Sequence, residues 1–130
     1  MNPGASRPSI LVVEDERPVR RAVVRILTGF DFDAIEAANG AEAIATVRAR
    51  PVDLVLCDIR MPDMAGPDVV RELKAIRPDI GVLFMTGYAG SALPPEVAYD
   101  PDLVIQKPFG PDELHERITK RLPRAKPSLG

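Results

Sequence analysis

Residues 52–57 read Val-Asp-Leu-Val-Leu-Cys, and Asp58 follows at once. The apolar core of that run, Leu54–Cys57, has the length and composition of a short strand buried on both faces. The same texture recurs along the chain. Ser9–Val13 (S-I-L-V-V), Gly81–Met85 and Leu103–Ile105 are further apolar strand signals, and Ala34–Glu36 is a weaker one. Between them the period changes to that of a helix. Val19, Ala22, Val23, Ile26, Leu27 and Phe30 fall three or four apart, with Pro18 suited to the first helical position. Asn39 caps a second helix, with Glu42 three residues on and Ala43, Ile44 and Val47 as its apolar stripe. Gly66-Pro67 opens a third helix carrying Val69, Val70, Leu73 and Ile76 inward, and Pro78 stops it. Gly110-Pro111 opens the last, with Leu114, Ile118 and Leu122 toward the core. The stretch from Gly87 to Pro101 is poor in helix formers and predicts at most a short helix.

Strict alternation of strand and helix argues for a parallel sheet with helices on both faces, a (βα)5 doubly wound α/β fold. One domain over 9–122 is expected, with flexible ends at 1–8 and 123–130. The length of 130 residues allows one core and no second domain. Seventeen basic against nineteen acidic residues give a net charge of −2, which removes the footprint of a direct nucleic-acid binder. Apolar runs reach about four residues, far short of a membrane span, so no membrane insertion is expected. A lone Cys57 fits a reducing, cytoplasmic setting, and it reads as a small buried hydrophobe. His115 lies among charged residues and reads as a surface histidine. The basic residues between Arg117 and Lys126 suit the negative end of a helix dipole.

In such sheets ligands collect outside the carboxyl ends of the strands. Glu14 and Asp15 follow the first strand, Asp58 the third, Thr86 the fourth and Lys107 the fifth. Three carboxylates, a hydroxyl and an ammonium therefore converge on one edge. Three close carboxylates repel one another, and a divalent cation removes the conflict. Oxygen-only ligands select a hard ion such as Mg²⁺.

Four stretches then resemble a known family. They are I-L-V-V-E-D-E at 10–16, D-L-V-L-C-D-I-R-M-P-D-M-A-G at 53–66, M-T-G-Y at 85–88 and Q-K-P-F at 106–109. Together they look like the receiver domain of two-component response regulators, over roughly Ser9 to Leu122. That resemblance implies a flavodoxin-like sheet in the order 2-1-3-4-5. It implies a phosphoacceptor, not a turnover enzyme, with Asp58 taking the phosphoryl group from a phosphohistidine. Glu14, Asp15 and Asp58 would hold Mg²⁺, together with the backbone carbonyl of Arg60. Thr86 and Lys107 would bind phosphoryl oxygens, and the Lys107–Pro108 peptide is expected to be cis. The implied partners are a sensor histidine kinase or phosphotransfer protein and a downstream protein target, with the chain itself a monomer or weak homodimer. Phosphorylation is expected to shift residues 87–100 and the last strand–helix face.

Three departures from the family pattern stand out. Val104 occupies the position where many receivers carry a switching aromatic. The Gly/Pro-rich texture before the last strand is similar to receivers of hybrid sensor kinases. Glu14 stands where many members carry Asp, and its longer arm is expected to reach the metal through water. Arg60 and Tyr88 are both bulky at the positions that tune self-dephosphorylation, so slow hydrolysis is expected, with Tyr88 shielding the acyl phosphate. The initial Met and short tail favour a stand-alone chain over a receiver detached from a hybrid kinase. Other functions fit less well. An aspartyl-phosphate phosphatase typically needs a second acid where Arg60 stands. A flavin phosphate would be repelled by the acidic first loop. A phosphorylation-independent binding module would have no use for the complete acidic, Thr and Lys set.

Overall fold

The computed structural model describes residues 7–87 and 101–123. Five parallel strands run β1 (Ser9–Val13), β2 (Asp33–Ala37), β3 (Leu54–Asp58), β4 (Gly81–Thr86) and β5 (Val104–Gln106). Their order across the sheet is β2-β1-β3-β4-β5, as expected for this fold class. Among the described residues the helices are α1 (Arg17–Gly29), α2 (Gly40–Ala49), α3 (Gly66–Ile76) and α4 (Pro111–Arg121). The segment expected to be at most a short helix, the shift expected in it and the role given to Tyr88 fall almost wholly outside the described residues, as do most of both chain ends.

The alternation of side chains along each strand sorts the core into two layers. Leu11, Val13, Val55, Cys57, Val82 and Phe84 face α2 and α3, where they meet Ala43, Val47, Val69 and Leu73. Ile10, Val12, Leu54, Leu56, Leu83 and Met85 face α1 and α4, where they meet Val23, Leu27, Leu114 and Ile118. Burial on both faces explains why these strands read as continuous apolar runs. No helix among the described residues is long and apolar enough to cross a membrane. Cys57 is buried, and burial pushes its thiol up, with Asp58 and Glu14 adding to the effect.

Several boundaries differ from the sequence reading. Asp58 and Thr86 are the last residues of their strands, not the first residues after them, because backbone pairing runs one residue further. The fifth strand begins at Val104, since Pro101–Leu103 forms a 3₁₀ turn. Ala22 is exposed on α1, and the half-buried Val24 takes the inner position instead. His115 is not a plain surface residue. It is half-buried and stacks on Phe30, ring centroids 4.3 Å apart, because Phe30 leaves the end of α1 and packs under α4.

One close approach sets the floor of the candidate site. A Cβ on Gly66 would lie 2.5 Å from the Asp58 carbonyl oxygen and 2.9 Å from the Ile59 Cα. Only glycine lets α3 begin against the end of β3, where Gly66 N–H donates to the Ile59 carbonyl at 2.7 Å.

Candidate functional site

Register fixes the site. Val13 pairs with Cys57, Asp58 with Met85 and Thr86 with Gln106, so β1, β3, β4 and β5 end at one level. The carboxylates of Glu14, Asp15 and Asp58 come together there, with one oxygen from each within 4.8 Å of the others. The Lys107 Nζ lies 2.7 Å from Glu14 Oε1 and 2.8 Å from Asp58 Oδ2. Thr86 is half-buried beside it, and the Lys107 N–H donates to the Thr86 carbonyl at 2.7 Å. The Lys107–Pro108 peptide is cis. Arg60 is exposed in the following loop, and its N–H donates to Asp58 Oδ1 at 3.0 Å. All the residues singled out from the strand ends therefore meet at one edge.

The three acids sit in unlike surroundings. Asp15 is exposed, Asp58 is half-buried, and the Glu14 side chain is only 1% exposed. Glu14 turns inward under Lys107 and also accepts the Glu16 N–H at 3.1 Å. Burial raises the Glu14 carboxyl to about 7; nearby Asp58 adds to this, while Lys107 and the Glu16 amide oppose it. Burial works against the charge on Lys107. The hydrogen bonds and attraction of Asp58 and Glu14 outweigh it and hold the ammonium above its ordinary value.

The first loop is braced by a contact that sequence patterns did not reveal. Arg20 on α1 donates from Nη1 to the Glu14 carbonyl at 2.8 Å and from Nε to Glu36 Oε1 at 2.9 Å. Glu36 also takes Arg21, and these guanidiniums, Arg20 first, hold its carboxyl below the usual range. Nothing in the spacing of α1 distinguishes Arg20 from its neighbours Arg17, Arg21 and Arg25.

Glu14 makes stability depend on pH. Its carboxyl titrates higher in the folded chain than the ordinary 4.5, so the folded state binds the extra proton between about pH 4.5 and about 7. Its contribution to stability is therefore greatest below that window and declines as pH rises through it. Without divalent cations, urea unfolding should show a decline of about 1–3 kcal/mol between roughly pH 5 and pH 7.5. Glu14→Gln should flatten that profile, and an equally steep variant would assign the dependence to another group.

Comparison with known proteins points to one family. Residues 10–119 match the family model of the response regulator receiver domain. The response regulator receiver protein CpdR of Brucella abortus is 36% identical over 114 residues, which cover 87% of this chain and 95% of CpdR. The sensor kinase CckA of the same species is 36% identical over 117 residues, 88% of this chain but only 12% of the kinase. Among solved structures, a CheY-like receiver domain protein from Methanospirillum hungatei superposes with a TM-score of 0.78 at 27% identity, over 88% of this chain and 93% of that one.

Proposed function

This chain belongs to the response regulator receiver domain family of two-component signalling, and we propose that Asp58 is its phosphoacceptor. In this reading a phosphohistidine of a sensor histidine kinase or phosphotransfer protein supplies the group, the transfer requires Mg²⁺, and phosphorylation switches a protein-interaction surface. The observation that carries it is the single ammonium of Lys107 held between Glu14 and Asp58, with Asp15 completing an all-oxygen cluster.

The donor set fits a hard divalent cation. Three acids meet one lysine, so the cluster is one positive charge short of neutrality even with a proton on Glu14. Asp15, Asp58 and the Arg60 carbonyl would hold Mg²⁺, with Glu14 behind them, where it is expected to act through water. When bound, the ion neutralises charge on phosphoryl oxygens. The chain's own groups do the rest. An Asp58 carboxylate oxygen attacks phosphorus in line with the P–N bond of the phosphohistidine. That bond breaks, and its electron pair stays on the imidazole nitrogen. Lys107 then moves from a carboxylate to a phosphoryl oxygen as a point charge. Thr86 offers a hydroxyl to another. Two such charge-assisted hydrogen bonds at roughly 1.5–3 kcal/mol each supply most of the ~5.5 kcal/mol needed to invert a 1:99 equilibrium. With Val104 in place of an aromatic, the movement would run through Thr86 and the segment that follows it. The bulk of Arg60 beside Asp58 supports slow self-dephosphorylation.

The test is intact-mass spectrometry after incubation with Mg²⁺ and a small acyl or amido phosphate donor. One labile phosphoryl adduct is expected, and chelation of Mg²⁺ should abolish it. A chain that binds neither Mg²⁺ nor phosphoryl would instead be a phosphorylation-independent binding module.

A further inference from the structure

Asp63 lies five residues past Asp58, in the loop between β3 and α3, yet its carboxylate is spent on a different helix. Oδ1 accepts the Gly40 N–H at 3.0 Å and Oδ2 accepts the Ala41 N–H at 3.1 Å. These are first-turn amides of α2, which have no partner within the helix. The local cap, Asn39, serves only the Glu42 N–H, at 2.9 Å. Two residues from different loops thus divide the open donors of one helix end. The Gly40 amide holds the Asp63 carboxyl below the usual range, with burial opposing and the Ala41 amide adding to the effect. The contact is tight. A Cβ on Gly40 would meet Val69 Cγ2 at 2.9 Å, Met64 Sδ at 3.0 Å and Asp63 Oδ1 at 3.4 Å.

The loop that carries Asp63 is short and closed. Arg60 and Ala65 form an antiparallel bridge across it, and the Gly66 N–H ties its end to the Ile59 carbonyl. At its start the Arg60 N–H donates to Asp58 Oδ1. A displacement at Asp63 therefore has few residues over which to relax before it reaches the amide that orients Asp58.

We propose that Asp63 is a positioning residue for Asp58: by pinning the β3–α3 loop to the first amides of α2, it holds the Arg60 amide on Asp58 Oδ1 and the other carboxylate oxygen toward Lys107. The inference rests on Asp58 being the phosphoacceptor for its functional consequence, but the brace itself is measurable without phosphate or metal. α2 then serves as the anchor of the acceptor loop, although it supplies no residue to the site.

Asn39→Ala is the matched control, because it removes a cap from the same helix end without touching the loop. In chelator, solvent exchange of the Arg60 amide by NMR should quicken about tenfold in Asp63→Ala and stay near wild type in Asn39→Ala. Phosphoryl uptake from the small donor should fall several-fold in Asp63→Ala only, with Asp63→Asn intermediate because one acceptor oxygen remains. An Arg60 amide that responds equally to both alanine variants would overturn the inference and leave Asp63 a helix cap. An Arg60 amide that responds only to Asp63→Ala, in a wild-type chain that takes no phosphoryl group, would uphold the brace and overturn the phosphoacceptor reading instead.

Discussion

Asp58→Asn should fold normally and lose the phosphoryl adduct, by at least ~10³-fold in uptake rate. An amide lacks the negative charge that makes a carboxylate oxygen a competent, if weak, nucleophile. The neighbours are poor substitutes. Glu14 is buried beneath Lys107 with its carboxyl raised to about 7. Asp15 is exposed and lacks the Lys107 contact that Asp58 has. The substitution also removes one negative charge from a cluster of three, so stability in chelator should equal or exceed that of wild type. Lys107 keeps its bond to Glu14 in the variant, which preserves the end of β5. Mass spectrometry with peptide mapping separates the outcomes. An adduct at wild-type level, mapped to Asp15 or Glu14, would move the acceptor to another strand end and undo the assignment.

How much of this was legible beforehand follows from the kind of interaction involved. Strands buried on both faces must be apolar without interruption, so Ile10–Val13 and Leu54–Cys57 announce themselves. Parallel strands of one sheet end at one edge, so a residue's place at a strand end already says which residues it meets. That is how Glu14, Asp15, Asp58, Thr86 and Lys107 could be grouped from a one-dimensional reading. Contacts made across the fold by ordinary surface residue types carry no such signal. Asp63 looks like any loop aspartate until α2 is placed 22 and 23 residues away in sequence. Arg20 is one arginine among four on α1, and only the fold shows which one reaches the Glu14 carbonyl. His115 reads as a surface residue for the same reason: the polarity of its neighbours is visible in sequence, whereas the arrival of Phe30 beneath α4 is not. Glu14 shows the remaining gap, since its place at the strand end is legible in sequence, whereas the inward turn of its side chain under Lys107 is not.

Lys107→Met should separate metal binding from phosphoryl transfer, and this makes it the most informative substitution after Asp58. In wild type one ammonium serves two carboxylates at 2.7 and 2.8 Å, and it is 20% exposed. Removing it leaves Glu14 and Asp58 facing each other without a counter-charge. Breaking such a partly buried pair by taking away one partner costs about 3 kcal/mol in chelator at alkaline pH. The cost should shrink at acid pH, because Glu14 then takes a proton and no longer needs the ammonium. Mg²⁺ has the opposite relation to Lys107. A divalent cation and the ammonium both relieve the same repulsion, so each lowers the value of the other. The variant should therefore bind Mg²⁺ as tightly as wild type or more tightly, and Mg²⁺ should restore more stability to it. Transfer should nonetheless fall about 10²–10³-fold, the usual loss when one preorganised charge is removed from a developing anion. Calorimetric Mg²⁺ titration and adduct kinetics on one preparation measure both quantities. Parallel loss of both would mean that Lys107 only holds the acidic cluster in shape. Unchanged transfer would remove it from the chemistry. Retained metal affinity with slowed transfer is the pattern that a phosphoryl-binding lysine produces, because its charge counts only once the phosphoryl oxygens have arrived.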